Sequence, residues 1–223
     1  METNILKMMK IADIASLLNA ISGMLAVLAA YYQKPILTAA LLILAVVFDA
    51  IDGPLARRYP SDTDEIFGET MDSLADVISF GVAPSLIIMI LYNNMLMIIP
   101  TILLISCGIL RLSRYNTIIT YQTGPTKTFI GVPIPVSSFM LSIILLSGIN
   151  NSYIVLIIMT IIAISMITSF KYTKIKNKTI LIISTILTLI TLCIPLNTLL
   201  FKIPSILLIL MIMAYIFSPI YIK

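Results

Sequence analysis

Asp49, Asp52, Asp72 and Asp76 sit inside apolar runs where a carboxylate is costly to keep. Asp49 and Asp52 are i and i+3, and Asp72 and Asp76 are i and i+4. On helices, each pair shares one face. Four carboxylates brought together in a low-dielectric setting cannot all ionise unless cations offset them. The chain has no His, which excludes a His base, His metal ligands and a Ser-His-Asp triad. Hard oxygen ligands favour Mg²⁺, Mn²⁺ or Ca²⁺ over zinc or copper. Carboxylate-bound Mg²⁺ typically completes its shell with substrate phosphate oxygens. Gly53, Ala56 and Gly68 are small enough for a bulky ligand to approach the helix backbones. Arg57, eight residues after Asp49, lies roughly on the same face and offers a phosphate-directed fork.

The elements that must carry these residues are membrane spans. The chain has 223 residues, of which 60% are hydrophobic and only 11% charged, against about 45–50% and about 25% in soluble domains. Eight apolar stretches of spanning length are expected, at roughly 11–32, 34–57, 67–92, 95–117, 131–149, 151–169, 178–196 and 201–220. The expected fold is an all-α integral membrane protein with about eight transmembrane helices and a short N-terminal interfacial helix within residues 1–10. Residues 1–223 are expected to form one membrane domain, with no cleaved leader and no soluble appendage. Asp49 and Asp52 then end the second span and Asp72 and Asp76 begin the third. A short loop between them makes the spans antiparallel, so the two faces can meet. Cys107 and Cys193 lie in apolar runs and are expected to be small hydrophobes.

Charge placement supports this count. With eight spans, twelve of the 14 Lys and Arg fall on the side shared by both termini, leaving only Lys34 and Lys202 opposite. That asymmetry places the termini and the aspartates in the cytoplasm. The ten acids all lie at or before Asp76. Asp62, Asp64 and Glu65 are expected in a solvated loop, Glu69 at a helix start, and Asp13 as a helix cap.

The pattern Asp49-x2-Asp52-Gly53-x2-Ala56-Arg57 through Gly68-x3-Asp72-x3-Asp76 resembles the signature of the CDP-alcohol phosphotransferases. The Arg57–Gly68 gap is two residues longer than usual, in the loop Tyr59–Glu65. The segments Met71–Pro84, Arg111–Asn116 and Phe129–Pro135 are similar to the phosphatidylserine synthase branch, and the compact, Ile-rich chain to its archaeal members. The resemblance covers about Ile11 to Lys176. It implies transfer of a diacylglycerol or archaeol phosphate from a CDP-lipid to the hydroxyl of L-serine, releasing CMP. It implies two divalent cations, Mg²⁺ or Mn²⁺, on Asp49, Asp52, Asp72 and Asp76, with Asp76 also acting as the base. Gly53, Ala56, Arg57 and Gly68 would line the nucleotide pocket. Arg111 and Arg114, assisted by Asn116, are the expected ligands of an acceptor carboxylate or of a lipid phosphate. Ser16 and Asn19 could reach the nucleotide. Membrane lipids, and by analogy a second copy of the chain, are the expected partners; no nucleic acid is.

Three alternatives bear on the same residues. Glycerol phosphate or inositol phosphate could replace serine within the same reaction class. An intramembrane prenyltransferase would need a second acidic motif, which the acid-free stretch after Asp76 lacks. An ion-coupled transporter would spread polar groups or broken helices through the midplane, often in two repeats, and the sequence shows neither.

Overall fold

The computed structural model describes residues 4–58, 65–121, 128–173, 178–193 and 199–221. The Asp62 and Asp64 loop, Lys127, Lys174 and Lys176 lie outside them, as does most of the loop holding the two extra residues.

The described chain is almost wholly helical. A single turn, α1 (Ile5–Met8), precedes α2 (Ile11–Tyr31) and α3 (Pro35–Arg58). Helix α4 (Glu65–Asp76) runs without a break through a π-helical segment, Val77–Val82, into α5 (Ala83–Tyr92). A 3₁₀ turn at Met95–Met97 leads into α6 (Ile98–Tyr121). Among the described residues, four stretches are long and apolar enough to cross a membrane: Ile11–Tyr31, Pro35–Arg58, Ile66–Tyr92 and Met95–Ile118. They reproduce the first four expected spans to within a few residues.

The second half departs from expectation. Helices α7 (Pro135–Ser147), α8 (Ser152–Ile167) and α9 (Lys178–Cys193) are 13, 16 and 16 residues long. At 1.5 Å per residue each is shorter than a hydrocarbon core of about 30 Å. Helix α10 (Leu199–Tyr221) carries Pro204 and Pro219 inside it. The expected helix at 131–149 starts instead at Pro135. Gly131 adopts a left-handed φ of 75°, and Pro135 takes the first helical turn, where its missing N–H costs nothing. Two strands, absent from the all-α expectation, form a small antiparallel ribbon: β1 (Thr128–Ile130) pairs with β2 (Lys171–Thr173).

The turns follow the asparagines. Asn93 ends α5 in the left-handed region, which Asn tolerates better than most residues. Asn94 caps the 3₁₀ turn, accepting from Leu96 N at 3.0 Å. Asn151 caps α8 by accepting from Tyr153 N at 3.0 Å.

Small residues allow the closest packing. Helix α2 lies along α3 and also touches α4, the π segment and α5. Its inner face carries Ala12, Ala15, Ala26, Ala29 and Ala30 with Gly23. A Cβ on Gly23 would stand 2.8 Å from the Cα of Ser79 in the π segment. Helix α7 is central and touches α3, the π segment, α5, α8, α9 and α10. Its face from Met140 to Leu146 is buried almost throughout.

Candidate active site

Helices α3 and α4 bring the four aspartates together, each holding two on one face. Carboxylate oxygens of Asp49, Asp52 and Asp72 all lie within 4.8 Å of one another. Asp49 is within hydrogen-bonding reach of Asp76, and Asp52 of Asp72. The earlier residue of one pair thus meets the later residue of the other, as antiparallel helices require. Asp76 is the most buried, at 7% exposure; the other three are half-buried.

Helix α2 supplies a third wall. Asn19 Nδ2 donates to Asp76 Oδ1 at 3.2 Å. Ser16 Oγ stands 3.5 Å from Asp52 Oδ2 and is also within reach of Asp72. Asp13 is buried, and its Oδ2 accepts from Lys10 N at 2.7 Å, capping α2 as expected. A Cβ on Gly68 would stand 3.0 Å from Asp13 Oδ1, so the glycine lets α4 close on α2. Ser16 and Asn19, expected to reach a nucleotide, bond the aspartates, and Ser16 also lines the first of the two cavities described below. Their signal was present: Asp13, Ser16, Asn19 and Ser22 recur every three residues, all buried in an otherwise apolar helix.

The π segment begins one residue after Asp76 and is itself held by hydroxyls. Ser138 Oγ donates to Ser79 O at 2.7 Å, Ser137 Oγ to Phe80 O, and Ser85 Oγ to Gly81 O at 2.7 Å. Consecutive carbonyls of a widened helical turn thus gain partners. Single π turns are frequent at functional sites.

Two cavities flank the aspartates. The first, of about 410 Å³, is lined by Asp13, Ser16, Asp52, Gly53, Ala56 and Gly68, with Lys10 and Glu69. Arg57 is exposed, but its guanidinium folds back to 3.5 Å from where a Cβ on Gly53, one of the lining residues, would stand. The second, of about 330 Å³, is lined by Asp49, Asp76, Arg111, Tyr115 and Asn116, with Pro133 and Pro135. Asp72 and Glu69 border both, so the carboxylate cluster is the partition. Glu69, expected only at a helix start, is one of the site residues that sequence reasoning missed.

Arg111 and Arg114 separate. Arg111 is 7% exposed, faces Asp76 and Asp49, and lies 5.7 Å from the Tyr115 ring centre. Its Nε has no partner among the described residues, so the cavity holds a buried cationic donor with unused capacity. Asn116 Nδ2 donates to Ser73 Oγ at 2.9 Å, joining α6 to α4 at the edge of that cavity. Arg114, expected beside Arg111 as an acceptor ligand, is engaged elsewhere. Its two terminal nitrogens donate to the carbonyls of Ile130, Met166, Ile167 and Thr168 at 2.8–3.1 Å. A three-residue step leaves two side chains on neighbouring but different lines of a helix, and here they diverge.

The donor set fits a hard divalent cation. Every candidate ligand is a carboxylate oxygen, and Asp72 Oδ1 is buried with no partner among the described residues. An orphaned buried acceptor costs about 1–3 kcal/mol, more if charged. A cation among these carboxylates would remove that cost.

Comparison with known proteins agrees with the geometry. Residues 9–170 match the family model described as CDP-alcohol phosphatidyltransferase. Archaetidylserine synthase of Methanothermobacter thermautotrophicus is 40% identical over 170 residues, covering 74% of this chain and 70% of that protein. CDP-diacylglycerol–serine O-phosphatidyltransferase of Methanocaldococcus jannaschii is 37% identical over 179 residues, covering 78% and 79%. The protein of the same name from Bacillus subtilis is 37% identical over 133 residues, covering 56% and 70%. The family match takes in α2 through α8 with every site residue named above, and the chain belongs to the CDP-alcohol phosphatidyltransferase family.

Proposed function

We propose that this chain transfers the phosphate-bearing lipid of a CDP-lipid to the hydroxyl of L-serine, releasing CMP. The observation that carries this reading is the carboxylate partition. One side has a small-residue cavity with Arg57 beside its Gly53, and the other a cavity in which buried Arg111 faces Asp76. The names of the archaeal relatives support the same choice of acceptor.

Asp49, Asp52, Asp72 and Asp76 would hold two divalent cations, Mg²⁺ or Mn²⁺, which when bound would supply polarisation of the phosphoryl group and offset charge on the departing CMP. Gly53, Ala56 and Gly68 leave room for the nucleotide, and Arg57 pairs with its phosphates. Arg111 binds the serine carboxylate and Asn116 assists. Asp76 accepts the hydroxyl proton as the serine oxygen bonds to the lipid-side phosphorus and the bond to the CMP oxygen breaks. The lipid tails are diacylglycerol or archaeol, and the archaetidylserine synthase relative favours archaeol. Residues 1–223 work as one membrane domain of eight spans, as a homodimer, with residues 1–10 at the interface. The site and both termini face the cytoplasm, as the Lys and Arg asymmetry supports.

An acceptor screen tests the reading. Purified protein with CDP-archaeol or CDP-diacylglycerol and Mn²⁺ should release CMP when serine is added. Release with glycerol phosphate or inositol phosphate but not with serine would remove the serine assignment and keep the reaction class.

A further inference from the structure

Arg114 is the clearest group that the proposed reaction does not use. Both of its terminal nitrogens are committed to main-chain carbonyls. Three of those carbonyls, Met166, Ile167 and Thr168, belong to the last turn of α8 and the residue that ends it. The C-terminal turn of a helix leaves carbonyls unpaired and favours a cation. The fourth carbonyl, Ile130, opens the short strap Ile130–Pro135 that leads from β1 into α7. Arg114 therefore ties α6, α8 and this strap together.

The strap is fixed by independent contacts at the same place. Gly131 N donates to Phe170 O at 2.9 Å and Val132 N to Ser165 O at 3.1 Å. Gly131 has a left-handed φ of 75°. A Cβ there would overlap the Met166 carbonyl oxygen and stand 2.6 Å from Arg114 Nη2. Val132 and Ile134 are fully buried, while Pro133 and Pro135 line the cavity that holds Arg111. Alternate strap residues thus anchor the wall and form it.

We infer that Arg114 is a positioning residue for the acceptor: it clamps the Ile130–Pro135 strap and so sets the Pro133 and Pro135 wall of the cavity that holds Arg111, without touching the acceptor. The inference rests on assigning that cavity to the acceptor. Helix α6 then delivers two arginines with different tasks, Arg111 to the ligand and Arg114 to the wall that confines it. A clamp of this kind acts on acceptor binding, because the donor cavity lies across the carboxylate partition.

Steady-state CMP release, with serine and CDP-lipid varied separately, decides the matter. Arg114→Gln should raise KM for serine at least about tenfold, within the roughly 100-fold that a misplacement of about 1 Å can cost. KM for CDP-lipid should stay within about twofold. Gly131→Ala, which disturbs the same clamp from the other side, should give the same split, and Arg114→Lys an intermediate one. The double variant Arg114→Gln/Gly131→Ala should be no worse than the worse single variant, as for residues acting as one unit. Multiplying effects would instead mean that Arg114 contacts the acceptor itself and would overturn the clamp. An unchanged serine KM, or an equal loss on the CDP-lipid side, would overturn it too. Mn²⁺-dependent CDP binding, located in the other cavity, reports whether each variant is folded. If Arg114→Gln does not fold, Arg114→Lys and Gly131→Ala carry the same comparison. If the wild type uses glycerol phosphate rather than serine, the split is measured with that acceptor. The serine assignment then fails while the clamp is still decided.

Discussion

Asn19 shows how much a single neutral side chain can matter among carboxylates. Its amide donates to Asp76 Oδ1 from the opposite helix, with both residues buried. A hydrogen bond to a charged group contributes about 1.5–3 kcal/mol. Asn19→Leu keeps the volume and removes the donor. If Asp76 is the base, turnover should fall about 10- to 100-fold, as that energy implies, while the protein still binds CDP with Mn²⁺. An unchanged kcat for CMP release would show that Asp76 needs no orientation from α2. The aspartates themselves were legible in the sequence, because carboxylates at helical spacing in an apolar chain have few other uses. The partner of Asn19 was not legible, since spacing along α2 does not say which helix its face meets. The carbonyl partners of Arg114 were hidden for a related reason: a cation at a span end fits a ligand, a headgroup or a helix C-terminus equally well.

Between elements, close approach is the governing constraint. Helix α2 meets the π segment where Gly23 faces Ser79. The obstacle there is a Cα at 2.8 Å, which cannot rotate away. Gly23→Ala must push the two backbones apart, at the roughly 1–3 kcal/mol typical of overpacking. Because the π segment follows Asp76 directly, the strain should reach the site. The expected result is a lower apparent Tm in detergent together with reduced turnover. A Gly23→Ala protein with the wild-type Tm and kcat would mean that the helices are looser than their contact implies. Local sequence could not reveal this arrangement. Long apolar runs marked the first four spans well, but a π turn has no distinct periodicity. The β1–β2 ribbon was equally hidden, because strands of three residues offer too few alternations to register and pair across α7 and α8. The late start of α7 was partly readable in Gly131, Pro133 and Pro135, whose types disfavour an early helix.

At the scale of the whole molecule, the acids are concentrated at one junction. Every Asp and Glu lies at or before Asp76, and Asp13, Asp49, Asp52, Asp72 and Asp76 come from α2, α3 and α4 to a single partition. Like charges held this closely oppose the packing of the three helices that carry them. The fold should therefore be less stable when no cation is bound. A ligand that binds only the folded state stabilises it by RT ln(1 + [L]/Kd), about 2.7 kcal/mol at 100 times Kd. Mn²⁺ or Mg²⁺ should thus raise the apparent Tm in a concentration-dependent way, and EDTA should reverse the gain. Asp72→Asn separates the two contributions. It removes one negative charge from the cluster and also one ligand, at the carboxylate whose Oδ1 is buried without a partner among the described residues. In EDTA this variant should melt at or above the wild-type temperature, because repulsion is relieved. In saturating Mn²⁺ it should melt below the wild type and release little or no CMP. Thermal shifts of the two proteins in both buffers provide the measurement. An Asp72→Asn protein that is destabilised in EDTA but still gains the full Mn²⁺ shift would show that the aspartate serves packing, and the cation would have to be held elsewhere.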